Sequence, residues 1–346
     1  MKKFKRSKAI GLFDEDFRLE KLSKLGDPLV RLSKGVDFEL FRPLLIDELH
    51  VAPKDDGGRK PYDYVLMFKI LILQRYYNLG DDQTEYQICD RLSFMRFLKL
   101  TIADDVPDSK TIWNFRERLI DLDMIDKLFN LFKAKLESLG LIIHEGKIVD
   151  ASFVEVPKQR NTREENKQIK DGQIPKEWMK KGNENKLEQK DTDARWTMKN
   201  GVSYYGYKNH VKCDEKSKLI TSYTVTDASV HDSQPTKGLL NKEDEGQPFY
   251  ADSAYTGEDF QNELVQEKKV ILQIVEKGYR NKPLTEQQEA TNKEKSKVRV
   301  RVEHIFGFVE NSMNGSFIKT IGIKRAKAVI GLMNLTYNMF RTTQMA

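Results

Sequence analysis

The stretch Lys297-Val298-Arg299-Val300-Arg301-Val302-Glu303-His304-Ile305-Phe306-Gly307-Phe308-Val309-Glu310 constrains this chain more than any other. Val298, Val302, Ile305 and Val309 recur at steps of four, three and four, the apolar stripe of a 3.6-residue helix. One residue further round, Arg299, Glu303, Phe306 and Glu310 repeat the spacing. Glu303 therefore stands at the rim of the buried stripe, one turn from a guanidinium. A carboxylate in that position is costly unless something positive meets it. Arg299 fits as an i,i+4 partner, and a metal ion fits as well.

At 346 residues the chain suits two domains, or one large domain with insertions. Its net charge of +6 is unevenly placed: from Thr291 onward ten Lys or Arg stand against three Glu. Lys2, Lys3, Lys5, Arg6 and Lys8 crowd the start. Such local excess suits a polyanion, and it also suits a plain solvated surface. Cys89 and Cys213 lie far apart without CxxC spacing, which points to a reducing compartment and away from a structural zinc site. The basic start is not followed by an apolar signal segment. The longest apolar run, Val65 to Leu73, is broken by Lys69 and is too short for a bilayer. The expectation is a cytoplasmic protein with no membrane association.

The front of the chain reads as helices. Leu19, Leu22, Leu25 and Leu29 predict one that stops near Gly26-Asp27-Pro28, and Phe41 to Leu49 another. Pro53 to Pro61, with Asp55-Asp56-Gly57-Gly58, reads as a loop. Val65, Phe68, Ile72 and Tyr76 mark a helix closed by Gly80; Thr84 to Leu98 marks the next. Ser109 is the expected N-cap of a third, with Ile112, Phe115, Leu119 and Leu122 inward and Lys110, Asn114, Arg116 and Arg118 outward. Two packed helices followed by a polar helix start are compatible with helix-turn-helix DNA binding, while the pattern alone favours a plain helical bundle with a charged outer face. Ile125 to Leu139 predicts a further helix.

From Leu141 the pattern alternates between strands and helices. Leu141 to Val156 predicts a strand with Asp150, a poor strand residue, in its middle. Residues 157–200 are polar and read as an exposed, mobile insertion. Tyr204–Cys213 and Leu219–Thr226 predict a hairpin about Asp214 to Lys218. Phe249-Tyr250-Ala251 runs into Asp252; a helix, the strand Val270–Val275 and a long helix capped by Thr285 follow, with Ala326–Met339 as the last helix. In a mixed sheet, central strands bring their ends together, so Asp150, Asp252 and Glu303, spaced by 102 and 51 residues, are expected to converge. Oxygen ligands with no Cys suit Mg²⁺ or Mn²⁺. Two such ions clamp the attacking and leaving oxygens of a displacement at phosphorus.

Five segments resemble, as an ordered set, the DDE transposases of bacterial insertion sequences, in particular the insertion-sequence-five-like group. They are Ile148-Val149-Asp150-Ala151-Ser152, Tyr205-Gly206-Tyr207-Lys208-Asn209-His210, Val230-His231-Asp232-Ser233, Ala251-Asp252-Ser253-Ala254-Tyr255 and Arg299 to Gly307. The likeness spans roughly 60–340. It implies an α/β ribonuclease H-like catalytic domain at 141–346, with a mixed five-stranded sheet flanked by helices, behind an all-α DNA-binding and dimerisation domain at 1–140. It implies catalysis and metal binding by Asp150, Asp252 and Glu303 with two Mg²⁺ or Mn²⁺ ions, cleavage at transposon ends, and attack of the 3′-hydroxyl on target DNA. The implied partners are double-stranded DNA (terminal inverted repeats and target) and a second copy of the chain, with the enzyme nucleoid-associated. Expected DNA contacts are Arg299, Lys208, His210, Lys110, Asn114, Arg116 and Arg301. Arg299 is equally suited to a salt bridge with Glu303, and for Lys208 and His210 a solvent-facing pair is the favoured alternative. Related families carry Tyr-x2-Arg-x3-Glu-x6-Lys on the Glu helix; here Ser296 and Glu310 stand at the Tyr and Lys positions. That departure bears on how a DNA end is gripped and leaves the acids intact. A stand-alone nuclease of the same fold, or a former transposase kept for DNA binding, are the alternatives.

Overall fold

The computed structural model describes residues 11, 13–50, 60–255, 257–279 and 283–345. The basic residues of the first eight positions, most of the Pro53–Pro61 loop and part of the Gly278–Pro283 break lie outside these. The front of the chain carries α1 (Asp14–Lys24), α2 (Pro28–Gly35), α3 (Arg42–Leu49), α4 (Tyr64–Tyr76), α5 (Asp81–Asp90), α6 (Leu92–Leu98), α7 (Ser109–Asp121) and α8 (Met124–Ser138). Then come β1 (Lys147–Glu155), α9 (Arg163–Lys170), α10 (Glu184–Gln189), β2 (Arg195–Lys199), β3 (Val202–Asp214), β4 (Ile220–Asp227), α11 (Thr236–Leu239) and β5 (Pro248–Ala251). The chain closes with α12 (Glu258–Glu267), β6 (Ile271–Ile274), α13 (Glu286–Gly307) and α14 (Ile323–Thr342).

Several expectations shift in detail. The single helix expected from Thr84 to Leu98 is two, broken at Arg91, whose backbone is extended. The Arg91 guanidinium lies over the Tyr77 and Phe94 rings, 5.0 and 4.4 Å from their centroids. This tertiary contact leaves no Gly or Pro in the sequence. The N-cap of α7 is Asp108 rather than Ser109: its Oδ1 accepts the Thr111 N–H at 2.6 Å. Among the described residues the sheet has six strands, not five, because Arg195–Lys199 at the end of the polar insertion pairs with the start of β3. The insertion itself folds α9 and α10 and buries Trp178 and Ile169. The Trp178 indole N–H donates to Glu165 at 2.6 Å.

The sheet runs β2-β3-β1-β5-β6, with β4 pairing the later part of β3. β1, β3 and β4 form an antiparallel meander, while β1, β5 and β6 are parallel. Side-chain alternation sorts the strands into two faces. Ile148, Val154, Tyr207, Val211 and Cys213 point toward α13 and α14 and join the larger core. Val149, Phe249 and Ala251 point the other way, onto a smaller core with Leu239 and Leu264. The larger core is continuous from Leu29 to Phe340 and so includes the front helices.

The connecting element is α14, which packs against β4, α4, α8 and α2. It is buried along nearly its whole length, so its polar side chains need partners. Asn334 and Asn209 of β3 exchange two amide hydrogen bonds, at 2.8 and 3.0 Å. Asn338 accepts the Ile220 N–H and donates to the Ile220 carbonyl, closing the start of β4. Asn338→Leu should therefore strand two buried backbone groups and cost roughly 2–4 kcal/mol, against about 1 kcal/mol or less for a surface exchange such as Lys319→Gln. Urea denaturation of the two variants checks this.

Candidate active site

The central strand pair brings two of the expected acids together. In the parallel register Lys147 faces Phe249 and Ile148 faces Tyr250. Continued two residues, that register turns Asp252, just past the end of β5, to the same face as Asp150 in the middle of β1, and the Asp252 charge acts on Asp150. Asp150 is 8% exposed. Its Oδ1 accepts the Ala151 N–H at 2.8 Å. Burial, and then the charge of Asp252, push its carboxyl up to about 6. Asp252 is less enclosed, and its Oδ1 accepts the Ala254 N–H at 2.8 Å, shaping the turn after β5.

The third acid arrives on α13. Thr285 and Gln288 form a capping box at its start, and Val302, Ile305 and Val309 bury the expected stripe. The helix crosses the same sheet face, against β1 and β5. Arg299 reaches down to Asp150 (Nη1–Oδ2 3.1 Å) and along the helix to Glu303 (Nη2–Oε1 2.9 Å). One guanidinium thus joins Asp150 and Glu303. Among the described residues no three His, Cys, Asp or Glu side chains stand close enough to enclose one ion. The expected meeting of three carboxylates at one point is a pair turned to one face, with the third held one guanidinium away. Like charges repel, and Arg299 supplies the positive charge between them. The donor set is entirely carboxylate oxygen, around a buried Asp150 whose carboxyl is held up by burial and by Asp252 despite Arg299. That chemistry fits a hard divalent cation.

Lys208 and His210 occupy the opposite sheet face from Asp150, since they register with Phe153 and Ala151. Neither is exposed. Lys208 Nζ donates to the Val230 carbonyl at 2.7 Å and to Asp232 Oδ1 at 2.8 Å. His210 Nε2 contacts Thr226 Oγ1 at 2.9 Å, and burial pulls the ring down to about 4, so it is neutral at physiological pH. Arg301 points away from the acids and holds Glu215 at 2.8 Å. Arg116 is bidentate to Asp81, at 2.5 and 2.9 Å. Lys110 and Asn114 lie exposed on the outer face of α7.

Two further residues act on these acids: Lys199, which the sequence reading missed, and Tyr255, which closes the quoted Ala251–Tyr255 segment. Lys199, at the end of β2, lies 3.9 Å from Asp232, and its charge lowers the Asp150 carboxyl. The buried Tyr255 hydroxyl has no hydrogen-bond partner among the described residues and lies within electrostatic reach of Asp150, Asp232 and Asp252. Burial, then those three charges, hold it protonated.

The family model described as "Transposase DDE domain" matches residues 143–339, more than half of the chain. The chain belongs to the DDE transposase family. It is a DNA transposase, an enzyme of DNA cleavage and transfer. A second model, described as "Transposase domain (DUF772)", matches residues 17–118 of the transposase. Among solved structures the transposase is similar to the piggyBac transposase synaptic complex with hairpin DNA. The identity is 14% and the TM-score 0.47, over 92% of this chain and 75% of that one. DDE transposases generally work with divalent metal ions, consistent with the oxygen donors here. No helix among the described residues is long and apolar enough to cross a membrane.

The raised Asp150 carboxyl has a consequence for stability. Its folded value of about 6 lies above the ordinary 3.8. Below pH 4 the group is protonated in both states and costs nothing. As pH rises through 6, the folded state must carry a buried charge, and stability is lost. At about 1.4 kcal/mol per pH unit, the loss is on the order of 3 kcal/mol. In protein stripped of divalent ions, Asp150→Asn should stabilise by about 2–3 kcal/mol at pH 7.5 and by little at pH 4. Chemical denaturation at the two pH values checks this; equal gains at both would exclude the charge as the cause.

Proposed function

We propose that Asp150, Asp252 and Glu303 are the catalytic and metal-binding acids of a ribonuclease H-like domain. The enzyme cleaves DNA at transposon ends and joins the freed 3′-hydroxyl to target DNA. The observation that carries this reading is the shared sheet face: Asp150 on β1 and Asp252 just past the parallel β5 turn to one face, with the Glu303 helix packed against both strands. An antiparallel meander followed by two parallel strands supports the fold assignment. Two Mg²⁺ or Mn²⁺ ions held by these acids would supply Lewis acidity at phosphorus and a deprotonated attacking oxygen.

The chain's own residues prepare that site. Arg299 holds Asp150 and Glu303 toward each other, and its guanidinium would suit a backbone phosphate. Lys208 and Lys199 fix Asp232 on the far side of β1. In this reading residues 1–140 bind DNA ends and assist pairing of two protomers, and residues 141–346 carry the chemistry. The exposed start of α7, with Lys110 and Asn114, is the DNA-facing part of the front end. Two ends must be held together for transfer, so a homodimer on double-stranded DNA in the cytoplasm is the working form.

The test uses duplexes bearing the terminal repeats of the element that carries the gene. With Mg²⁺ or Mn²⁺, Asp252→Ala should lower cleavage about a thousandfold or more. The same variant should bind the duplex within about threefold of wild type in a mobility-shift assay, because the substitution removes no cation. Wild-type protein that never cuts with either ion would sink the reading.

A further inference from the structure

Away from the acids, a cleft of about 340 Å³ opens between the α4–α5 corner, α7, the segment 317–321 and the start of α14. Its wall contains Arg75, which is 8% exposed. Arg75 donates through Nη2 to the Leu79 carbonyl at 3.1 Å, and its Nε is buried with no partner among the described residues. The nearest carboxylate, Asp81, is already gripped by Arg116 and Gln74. Burial, and then the Arg116 charge, pull Arg75 down to about 10. Thr320 Oγ1 on the same cleft is likewise enclosed and unpartnered among the described residues. Lys319 lines the cleft, is exposed, and has no carboxylate within ion-pair distance among the described residues. Among the described residues neither Arg75 nor Lys319 is in an ion pair, so an anion on this cleft would meet two uncompensated cations.

An inorganic anion would answer the guanidinium but not the rest of the lining. Trp113 and Phe317, 40% and 39% exposed, border the same cavity. The volume falls in the range of sites for organic ligands. Guanidinium and lysine beside exposed aromatic rings is the chemistry that holds an unstacked nucleotide. Position supports the same occupant. Phe317 bridges to Glu155 at the end of β1, and the Ser316 carbonyl accepts the Glu155 N–H at 2.8 Å. Glu155 is five residues along β1 from Asp150, roughly 16 Å at about 3.3 Å per residue. A few nucleotides of one strand cover that span.

We propose that this cleft is a second nucleic-acid site of the transposase. It takes one nucleotide of a single strand out of its stack, with the phosphate against Arg75 and Lys319 and the base against Trp113. The site deepens the reading of the protein as a DNA-cutting enzyme and rests on it.

The test measures binding of a short fluorescein-labelled single-stranded oligonucleotide to the full-length protein by anisotropy. Trp113→Ala should weaken binding about tenfold, and Lys319→Gln should lower the salt slope by about one. Arg75→Met should act like Trp113→Ala if it folds; the two surface variants decide the matter if it does not. Competition identifies the occupant. Displacement by a deoxynucleoside monophosphate at lower concentration than inorganic phosphate supports a nucleotide site open to free ligand. Displacement only by unlabelled oligonucleotide, together with the variant effects, supports a strand-only site. Equal displacement by phosphate and nucleotide, or stronger displacement by an acidic peptide, overturns the proposal. So do unchanged affinity and salt slope in both surface variants. Cleavage by wild-type protein, run alongside, separates that failure from failure of the enzymatic reading.

Discussion

The parallel pairing of β1 with β5 turns Asp150 and Asp252 to one face, and much of the surrounding structure answers the repulsion this creates. Two carboxylates turned to one face of a buried parallel pair are unfavourable. The pairing itself is fixed by apolar residues on both faces: Ile148 and Val149 on β1, Phe249 and Ala251 on β5, all sealed in core. A shift by one residue would turn each of these to the wrong face. The hydrophobic register therefore holds the acids together against their own electrostatics. Arg299 then supplies the compensating charge from the helix above.

That helix can only do so because it is itself held down. The Val302, Ile305 and Val309 stripe buries α13 on the sheet, and α14 packs beside it with Asn334 and Asn338 locked to β3 and β4. The motif Tyr205 to His210 belongs largely to this scaffold. Tyr207 donates to the buried Asp191 at 2.7 Å, Asn209 pairs with Asn334, and Lys208 is tied to Asp232. Its residues alternate between the two faces and pin a different element on each. A segment that marks the family can thus act by holding the sheet in place, with its charged groups turned inward and satisfied.

The apolar spacing that marked α13, α14 and the β3–β4 hairpin was readable because those elements are amphipathic or fully buried, and the period of burial is written directly in the residues. The break at Arg91 was not readable. It comes from a guanidinium stacking on Tyr77 and Phe94, a contact across elements that no local breaker announces. β2 was missed for a related reason: Arg195 to Lys199 is short and mostly exposed, and its strand character is imposed by pairing with β3. Lys199 and Arg75 gave no signal because a lone cation in a polar or apolar stretch acquires meaning only from what the fold sets beside it.

By itself the sequence determined that three acids fall at strand and helix positions able to share a sheet face. Periodicity and residue chemistry are local properties, so they survive without coordinates. Tertiary structure alone decided that Asp252 is turned to the same sheet face as Asp150 and that Glu303 meets Asp150 through Arg299. It also decided that Lys208 and His210 lie on the other face, and that Arg75 stands in the wall of a cleft, its buried Nε without a partner among the described residues. Each of these depends on strand register or on packing between elements far apart in the chain, and a register is set by the whole core at once.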